Sequence, residues 1–348
     1  MEIGIVGLPG AGKTTIFNAL TGSEAEVSAY SGGKKDPNIA QVKVPDERLV
    51  KLSKMYNPKK TSPAIIQYVD LGGSLSAKDE KDSMDAILRL LRPCDALVHV
   101  VRCFDIAGQS PDPQGDFENF ETELLLTDQM IVERRLEKME KELKKGKKGN
   151  PKEFELLKKA YQLLDSGRAL RENEEIRNAP ELKGYTFLSA KPCIVVLNLA
   201  EDQESGSVEL DLPLGVVAVS IKGALEMELS QLSEDEAELF RKDMGIEKPA
   251  THVLIKESYS LLGLISFFTV GEDEVKAWTI KRGTVAQKAA GRIHSDIERG
   301  FIRAEVVAFE DLIAAGSYQA AQKAGKVRLE GKDYIVQDGD VINFRFNV

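Results

Sequence analysis

Short apolar runs alternate with helical patterns through the first two thirds of the chain. The strands that these runs predict lie at residues 3–6, 37–44, 65–69, 96–101, 192–197 and 216–220. The helices predicted from apolar residues three or four positions apart lie at residues 13–20, 46–55, 84–91 and 234–244. Strands that alternate with helices are typical of a mostly parallel, doubly wound sheet, which binds ligands at the carboxyl ends of its strands. The predicted fold class is therefore α/β.

Other patterns mark separate parts of the chain. Between about Phe120 and Glu175, apolar residues at helical spacing on both sides of a basic turn predict an antiparallel helical hairpin inserted into the α/β part. The polar segment 21–36 is predicted to be a loop, and alternating segments after residue 262 predict a small sheet-rich domain. The predicted divisions are an α/β domain at 1–119 and 184–262, the hairpin at 120–183 and a C-terminal domain at 263–348.

Composition limits the classes of partner. The chain has 348 residues, 42% of them hydrophobic, and this suffices for about two or three domains with substantial cores. Its net charge of −9 disfavours RNA and anionic membranes as partners of the whole surface. From Lys276 to the end, 12 Lys or Arg stand against 9 Asp or Glu, a net charge of +3. A ribosome or RNA contact is therefore expected at the C-terminal domain or at the basic hairpin tip, Lys144 to Lys148, although a solvated turn explains that tip equally well.

Compartment is indicated by the cysteines and by the absence of long apolar runs. Cys94, Cys103 and Cys193 have no CxxC spacing, which predicts buried free thiols in a reducing compartment. No apolar run approaches the ~18 residues of a membrane span, and a strand and loop occupy the N-terminus where a signal peptide would lie. We expect a soluble, cytoplasmic monomer.

A glycine-rich loop joins the first predicted strand to the first helix and has the spacing Gly-x4-Gly-Lys-Thr. Glycines allow the backbone to wrap a phosphate chain with its N–H groups pointing inward, and the helix N-terminus adds partial positive charge. The nucleotide-binding residues predicted in this P-loop are Gly7, Pro9, Gly10, Ala11, Gly12, Lys13, Thr14 and Thr15. Lys13 is expected to reach the β- and γ-phosphates, and the Thr14 hydroxyl to bind Mg²⁺.

Asp70 and Gly73 form a DxxG pattern directly after a predicted strand. In P-loop proteins such an aspartate holds Mg²⁺ through water, and the glycine N–H contacts the γ-phosphate. Thr14 and Asp70 are therefore the predicted metal site, and together with Lys13 they are the predicted catalytic residues. No side chain stands out as a general base. His99 lies inside an apolar strand, where a hydrogen-bonded core histidine is expected rather than a catalytic one.

Base recognition is predicted at the segment Asn198-Leu199-Ala200-Glu201, which follows a buried strand. GTPases read guanine with an NKxD motif, whose aspartate accepts the ring N–H and amino protons. Here Glu201 is one methylene longer and Leu199 replaces the stacking lysine, so the clamp on guanine is expected to be lost. Adenine, with an acceptor at that ring nitrogen, loses nothing. Asn198 is expected to face the base edge, with Ser220 and Ile221 capping the pocket.

Several longer segments support a family resemblance. They are the P-loop, DPNIA from Asp36, VHVVRCF from Val98, the NxxE motif, AGRIHSDIERGFIRAEV from Ala290 and QDGDV from Gln337. With these segments the chain resembles, over essentially its whole length, the Obg-like ATPases, the YchF branch of the translation-factor GTPases. The resemblance implies Mg²⁺-dependent ATP binding in preference to GTP, slow hydrolysis and association with the ribosome. It also implies an inserted helical hairpin and a C-terminal β-grasp domain of the TGS type.

Departures from that family cluster around hydrolysis. Gly10 replaces an asparagine thought to help hold a monovalent cation, and Lys34 replaces a threonine that binds Mg²⁺. The stretch after Asp70 reads DLGGSLSAKD in place of DIAGLVKGAS, one residue shorter, and residues 105–116 lack the histidine proposed to position the attacking water. Because phosphoryl transfer depends on positioning and charge stabilisation, hydrolysis is expected to be slower than in the relatives.

The sequence leaves three functions open. The first is a slow ATPase that prefers ATP over GTP and acts as a nucleotide-dependent switch. The second is a hydrolysis-deficient scaffold that senses nucleotide or binds RNA or the ribosome. The third, a small-molecule P-loop kinase, is disfavoured because it would need a lid and an acceptor pocket, whereas the insertion is a charged hairpin.

Overall fold

The structure is a computed structural model that describes residues 1–22, 27–29, 38–70, 87–146 and 149–347, with the backbone alone at 27–29. Several predictions fall outside the described residues. They concern Lys34, which replaces a threonine that binds Mg²⁺ in the family, Gly73, expected to contact the γ-phosphate, and the rest of the stretch after Asp70. The start of the helix predicted at 84–91 and part of the basic hairpin turn also lie outside the described residues.

Strands and helices alternate through much of the chain. The strands are β1 Glu2–Val6, β2 Val27–Ala29, β3 Asn38–Lys43, β4 Lys60–Ser62, β5 Ile65–Asp70, β6 Ala96–Arg102, β7 Cys193–Asn198, β8 Val217–Ile221, β9 Leu264–Thr269, β10 Glu274–Lys281, β11 Phe301–Ala308, β12 Arg328–Glu330 and β13 Asp340–Phe346. The α-helices are α1 Lys13–Thr21, α2 Glu47–Tyr56, α3 Pro113–Lys144, α4 Pro151–Asp165, α5 Glu174–Asn178, α6 Gly223–Leu229, α7 Glu234–Asp243, α8 Ala250–Leu261, α9 Ala286–Ile293, α10 Ser295–Arg299, α11 Phe309–Ala315 and α12 Tyr318–Lys323. A further helical stretch covers 87–91, and 3-10 turns cover Leu170–Glu172 and Pro180–Tyr185.

Seven described strands form the first sheet, in the order β2-β3-β5-β1-β6-β7-β8. The five strands from β5 to β8 in this order are parallel, whereas β2 and β3 are antiparallel. Every residue of β7 is buried, as expected for a strand covered on both faces. The register sets Ile5 beside Asp70, and Asn198 beside both Arg102 and Ile221. The α/β prediction is confirmed, and the carboxyl ends of five strands meet at one edge.

The inserted hairpin consists of α3 and α4. Helix α3 begins after Asp112, whose side chain accepts a hydrogen bond from the Gly115 N–H at 3.1 Å. Asn150 caps α4 in the same way, accepting from the N–H groups of Lys152 at 3.1 Å and Glu153 at 3.3 Å. The buried residues that join the two helices are Val132, Met139, Leu156, Leu157, Ala160 and Leu164. The predicted hairpin is present, and its first helix starts before residue 120.

Polar groups buried at the base of the hairpin join it to the chain that returns to the sheet. The Asp128 side chain is fully buried and accepts hydrogen bonds from the Leu188 N–H at 3.0 Å and from the Ser189 N–H and hydroxyl, each at 2.7 Å. Nearby, the buried Arg171 guanidinium pairs with the Glu121 carboxylate. Because burial of such groups is costly without partners, these contacts fix the angle at which the hairpin leaves the sheet.

Internal contacts divide the chain into two compact units. The first unit comprises Met1–Val42 and Gln67–Leu254, and the second comprises Lys43–Ile66 and Ile255–Val348. The second unit is built on a six-stranded mixed sheet, in the order β12-β11-β13-β9-β10-β4, against which α9 packs three buried alanines. The C-terminal sheet domain is therefore present. The three-part division predicted from the sequence stays a prediction, and the second unit also includes residues 43–66.

Several elements depart from the sequence pattern, among them β2, α6 and α8. The segment 21–36 was expected to be a loop, but Val27–Ala29 forms β2, which pairs with β3. The pattern predicts neither α6, which is only 7 residues long, nor α8. The start of α8 is held by a distant residue, because the Glu226 carboxylate accepts hydrogen bonds from the Ala250 N–H at 2.7 Å and the Thr251 hydroxyl at 2.9 Å. Local sequence gives no sign of such a cap.

Two simpler predictions concern membranes and thiols. Of the helices in the described part of the chain, none combines the length and the apolar character needed to cross a bilayer. The three cysteines are buried free thiols, as predicted.

Replacing Asp128 tests the hairpin base. Asp128→Ala would leave the three donors from Leu188 and Ser189 without their acceptor in a buried site, so we expect a loss of roughly 2–4 kcal/mol in the free energy of unfolding. Urea denaturation measures this loss. The matched control is Glu123→Ala on the exposed side of the same helix, expected to change stability by less than about 0.5 kcal/mol. Equal effects of the two substitutions would contradict this assignment.

Candidate functional site

The loop between β1 and α1 has the backbone shape that its glycines allow. Gly7, Gly10 and Gly12 have φ values of 142°, 79° and 88°. A Cβ on Gly7 would lie 2.2 Å from the Val100 carbonyl oxygen, and a Cβ on Gly12 would lie 2.2 Å from the Asn198 side-chain nitrogen. No side chain of the described residues caps the N-terminus of α1, so its first N–H groups are available to an anion. This is the backbone geometry of a phosphate-binding loop.

Lys13 opens α1 and its side chain lies against the same loop. The Lys13 ammonium donates hydrogen bonds to the carbonyl oxygens of Leu8 at 2.8 Å and Gly7 at 3.1 Å. Burial lowers the pKa of Lys13, and the negative charge of Asp70 partly opposes this shift. The lysine is therefore positioned at the loop that would hold phosphate.

Thr14 and Asp70, the two residues predicted to bind the metal, lie side by side. The Thr14 hydroxyl donates a hydrogen bond of 2.9 Å to the Asp70 carboxylate, which is fully buried at the end of β5. Hydroxyl and carboxylate oxygens suit Mg²⁺, which otherwise keeps waters and phosphate oxygens as ligands. In the part of the chain that the structure describes, no group of three or more His, Cys, Asp and Glu residues could hold a metal. The pair therefore fits a Mg²⁺ ion that takes its other ligands from phosphate and water.

Asn198, at the end of β7, joins two loops. Its side-chain nitrogen donates to the Ala11 carbonyl oxygen at 2.9 Å, and its side-chain oxygen accepts from the Gly223 N–H at 3.1 Å. A Cβ on Gly223 would lie 2.6 Å from that oxygen, so the approach requires glycine. The sequence predicts that Asn198 faces the base edge. In the structure its amide joins the P-loop to the start of α6, a contact that the motif alone does not reveal.

The other residues predicted for the base lie around the turn after β7. Leu199 is 3% exposed and belongs to an apolar cluster with Cys103 and Phe117. Glu201 is exposed, and its backbone carbonyl accepts a hydrogen bond of 2.7 Å from the Lys222 ammonium. The remaining predicted residues are half-buried Ser220, buried Ile221, exposed Pro9 and half-buried Thr15. Leu199 is therefore part of the core, whereas Glu201 and its neighbour Asp202 present exposed charged side chains on this turn.

A short loop after β6 stands beside the P-loop. The Arg102 guanidinium donates to the carbonyl oxygens of Phe104 at 2.9 Å and Gln109 at 3.1 Å, which holds the loop in shape. Ile106 on this loop has its Cδ1 atom 3.5 Å from the position of a Cβ on Gly10. An aliphatic side chain therefore lies next to the phosphate-binding loop.

His99 lies in the core of the first unit, with neither ring nitrogen bonded to a described residue. Its ring stands 4.6 Å from the ring of Phe120 and 5.5 Å from that of Phe117, centroid to centroid. Burial, followed by the charges of Arg171 and Lys13, lowers the pKa of His99 to about 3. The prediction of a core histidine is correct, whereas the expectation that it would be hydrogen-bonded is wrong among the described residues.

This fold and this site define a P-loop nucleotide-binding protein of the GTPase type. A family model described as "50S ribosome-binding GTPase" matches residues 2–199. A second model, for the C-terminal part of YchF GTPases and described as a protein of unknown function, matches residues 264–347.

Full-length relatives narrow the class to one family. The chain is 43% identical over 367 residues to the "Ribosome-binding ATPase YchF" of Bacillus subtilis, covering all of both sequences. It is 37% identical to "Obg-like ATPase 1" of Caenorhabditis elegans, covering all of this chain and 92% of that protein. The solved structure of the Schizosaccharomyces pombe YchF GTPase matches with a TM-score of 0.88 at 31% identity, covering 99% of this chain and 97% of the other. The chain belongs to the YchF family.

Two glycines of the P-loop give a matched pair of tests. Alanine at either Gly10 or Gly12 adopts a strained left-handed backbone, but only at Gly12 does the new Cβ collide with Asn198. We expect Gly10→Ala to cost about 1 kcal/mol of unfolding free energy and Gly12→Ala about 3 kcal/mol. Denaturation of the nucleotide-free protein measures both, and a smaller cost at Gly12 than at Gly10 would refute the close approach.

His99 gives a test against pH. The unfolded chain takes up a proton at His99 below about pH 6.5, whereas the folded protein does not until about pH 3. The neutral, buried His99 therefore contributes fully to the free energy of unfolding above pH 6.5. This contribution falls by up to ~1.4 kcal/mol per pH unit as the pH decreases from 6.5 towards 3. Urea denaturation at pH 7.5, 6 and 5 should show a weaker pH dependence for His99→Leu than for the wild type. The control, Phe117→Leu, removes a ring beside His99 but no titrating group, and should keep the pH dependence of the wild type.

Proposed function

We propose that this protein is a slow ATPase that binds ATP in preference to GTP and acts as a nucleotide-dependent switch associated with the ribosome. The observation that carries the proposal is that a P-loop with the full Gly-x4-Gly-Lys-Thr spacing lies next to the turn at residues 200–203, here called the base-side turn. This turn and the end of β7 lack the residues with which GTPases bind guanine. Lys13, Thr14 and Asp70 lie together on one side, and Leu199 and Glu201 follow Asn198 on the other.

Base preference follows from the chemistry of the turn. Guanine presents two donors, a ring N–H and an amino group, which a correctly placed aspartate accepts together. Glu201 is longer, and Leu199 is buried in the apolar cluster, so a stacking side chain is missing at that position. Adenine needs neither the aspartate acceptor nor the stacking lysine. A site that leaves the two donors of guanine unpaired binds guanine more weakly than adenine.

We expect the protein to keep its affinity for the nucleotide phosphates but to hydrolyse ATP slowly. Lys13 would exchange its contacts with Gly7 and Leu8 for phosphate oxygens, and the α1 N-terminus would donate N–H groups. Thr14 and Asp70 would hold Mg²⁺, which supplies charge neutralisation at the β- and γ-oxygens. Ile106 cannot orient an attacking water by hydrogen bonding, and Gly10 offers no side chain to hold a cation. Binding should therefore be retained while hydrolysis is slow.

Relatives supply the partner in this proposal. Those from Bacillus subtilis and Haemophilus ducreyi are named ribosome-binding ATPases, and this chain covers their full lengths or nearly so. We infer a ribosome contact through the hairpin or the C-terminal TGS-like domain, and action as a cytoplasmic monomer. The three-part division of the chain at residues 1–119 with 184–262, 120–183 and 263–348 belongs to the same proposal.

A second function is favoured by the departures from the family around hydrolysis. Lys34 and Gly10 would remove contacts to Mg²⁺ and to a monovalent cation, so the protein would bind ATP and act as a nucleotide-sensing scaffold without turnover. Single-turnover release of phosphate separates the two functions, because a scaffold releases none above the rate of a Lys13→Ala variant.

The decisive test is a titration of nucleotide-free protein with Mg·ATP and Mg·GTP. We expect tighter binding of ATP, by roughly tenfold, because each unsatisfied polar group of guanine costs about 1–3 kcal/mol. Lys13→Ala should weaken both nucleotides strongly, since it removes a charged contact to phosphate. A preference for GTP would refute the interpretation of Glu201, and binding that survives in Lys13→Ala would refute the site.

A further inference from the structure

Gln203 makes two side-chain hydrogen bonds that connect separate parts of the candidate site. Its side-chain oxygen accepts from the Ala200 N–H at 2.7 Å. Its side-chain nitrogen donates to the Cys103 carbonyl oxygen at 2.8 Å. Both ends of one amide are thus satisfied by backbone groups of two different loops, and Gln203 and Cys103 are 100 residues apart in the chain.

The first bond closes the turn that carries Glu201. The Gln203 N–H also bonds the Ala200 carbonyl oxygen at 3.3 Å, so side chain and backbone together fix the turn 200–203. Lys222 holds the same turn from the other side through the Glu201 carbonyl. The orientation of the Glu201 backbone therefore depends on Gln203 as well as on its neighbours in β7.

The second bond holds the loop that stands beside the P-loop. Cys103 is fully buried, and its carbonyl begins the loop that Arg102 shapes through Phe104 and Gln109. Ile106, on the same loop, lies next to Gly10. A rigid connection thus runs from the base-side turn, through Gln203, to the loop at the phosphate side.

We propose that Gln203 is a positioning residue that sets base selectivity and couples the base-side turn to the loop 103–110. The proposal rests on the proposed function, since selectivity means ATP over GTP at this site. Gln203 acts through Glu201 and through Cys103 and needs no contact with nucleotide. The amide is required because it accepts at one end and donates at the other, which neither a carboxylate nor an aliphatic side chain can do.

Two substitutions separate the two bonds. Gln203→Glu keeps an acceptor for the Ala200 N–H but cannot donate to the Cys103 carbonyl, whereas Gln203→Ala loses both bonds. The matched control is Gln162→Ala on the exposed face of α4, which leaves both loops unchanged. Each protein is examined for its affinity for Mg·ATP and Mg·GTP, for amide hydrogen exchange at residues 104–110, and for its melting temperature.

Gln203→Ala is expected to weaken ATP binding about 3- to 10-fold, the range for one or two lost hydrogen bonds, and to reduce the ATP-to-GTP preference. Gln203→Glu is expected to keep that preference within about twofold. In both variants the Ile106 and Gln109 amides, which bond each other across the loop, should exchange faster in the nucleotide-free protein. The control should match the wild type throughout.

The proposal is overturned if the wild type prefers ATP and Gln203→Ala keeps that preference. It is also overturned if both nucleotides weaken equally together with a fall in melting temperature, which is the result of a merely structural role. A wild type without ATP preference is a failure of the proposed function instead. In that case hydrogen exchange at residues 104–110 still decides the coupling, because unchanged exchange in Gln203→Ala contradicts it.

Discussion

The bridge made by the Asn198 amide is the contact on which the site depends. It joins Ala11 of the P-loop to Gly223 at the start of α6, and it requires glycine at residues 12 and 223, where any side chain would collide with it. Because β1, β6, β7 and β8 run parallel, their carboxyl ends bring these loops within reach of one short side chain. The bridge thereby fixes the position of the P-loop relative to the start of α6 without any contact from a nucleotide.

The sheet below this edge supports the bridge through buried strands and a small number of buried polar groups. Val100 on β6 lies against Gly7, so the P-loop rests directly on the backbone of its neighbouring strand. The same strand carries His99 into the core beside Phe117 and Phe120 of α3. The hairpin is therefore connected to the P-loop by continuous packing, and the Asp128 contacts fix the point at which the chain returns to the sheet. Such packing has few alternative arrangements, which favours a site of defined geometry.

Membership of the YchF family is carried by the whole length of the chain, whereas the altered positions that the structure describes lie at the P-loop and at the loop after β6. Gly10 and Ile106 are neighbours in the structure, so the glycine that replaces an asparagine lies beside the loop that lacks the expected histidine. Residues in the positions of Lys13, Thr14 and Asp70 bind phosphate and metal in P-loop proteins; here Lys13 contacts the P-loop backbone and Thr14 contacts Asp70. In P-loop proteins nucleotide binding needs the loop and the lysine, whereas hydrolysis needs further groups placed within a fraction of an ångström.

The sequence by itself determined the features that depend on local spacing. The P-loop, the strand that ends at Asp70 and the helical hairpin follow from glycine positions, apolar runs and helical periodicity. Tertiary structure alone decided the partners of side chains that meet across the chain. The bond from Asn198 to Ala11 spans 187 residues, and the bond from Gln203 to Cys103 spans 100. The burial of Leu199, the lack of a described hydrogen-bond partner for the His99 ring and the cap of α8 by Glu226 have the same origin. Side-chain partners of this kind are fixed by the order and register of strands, which no local pattern records.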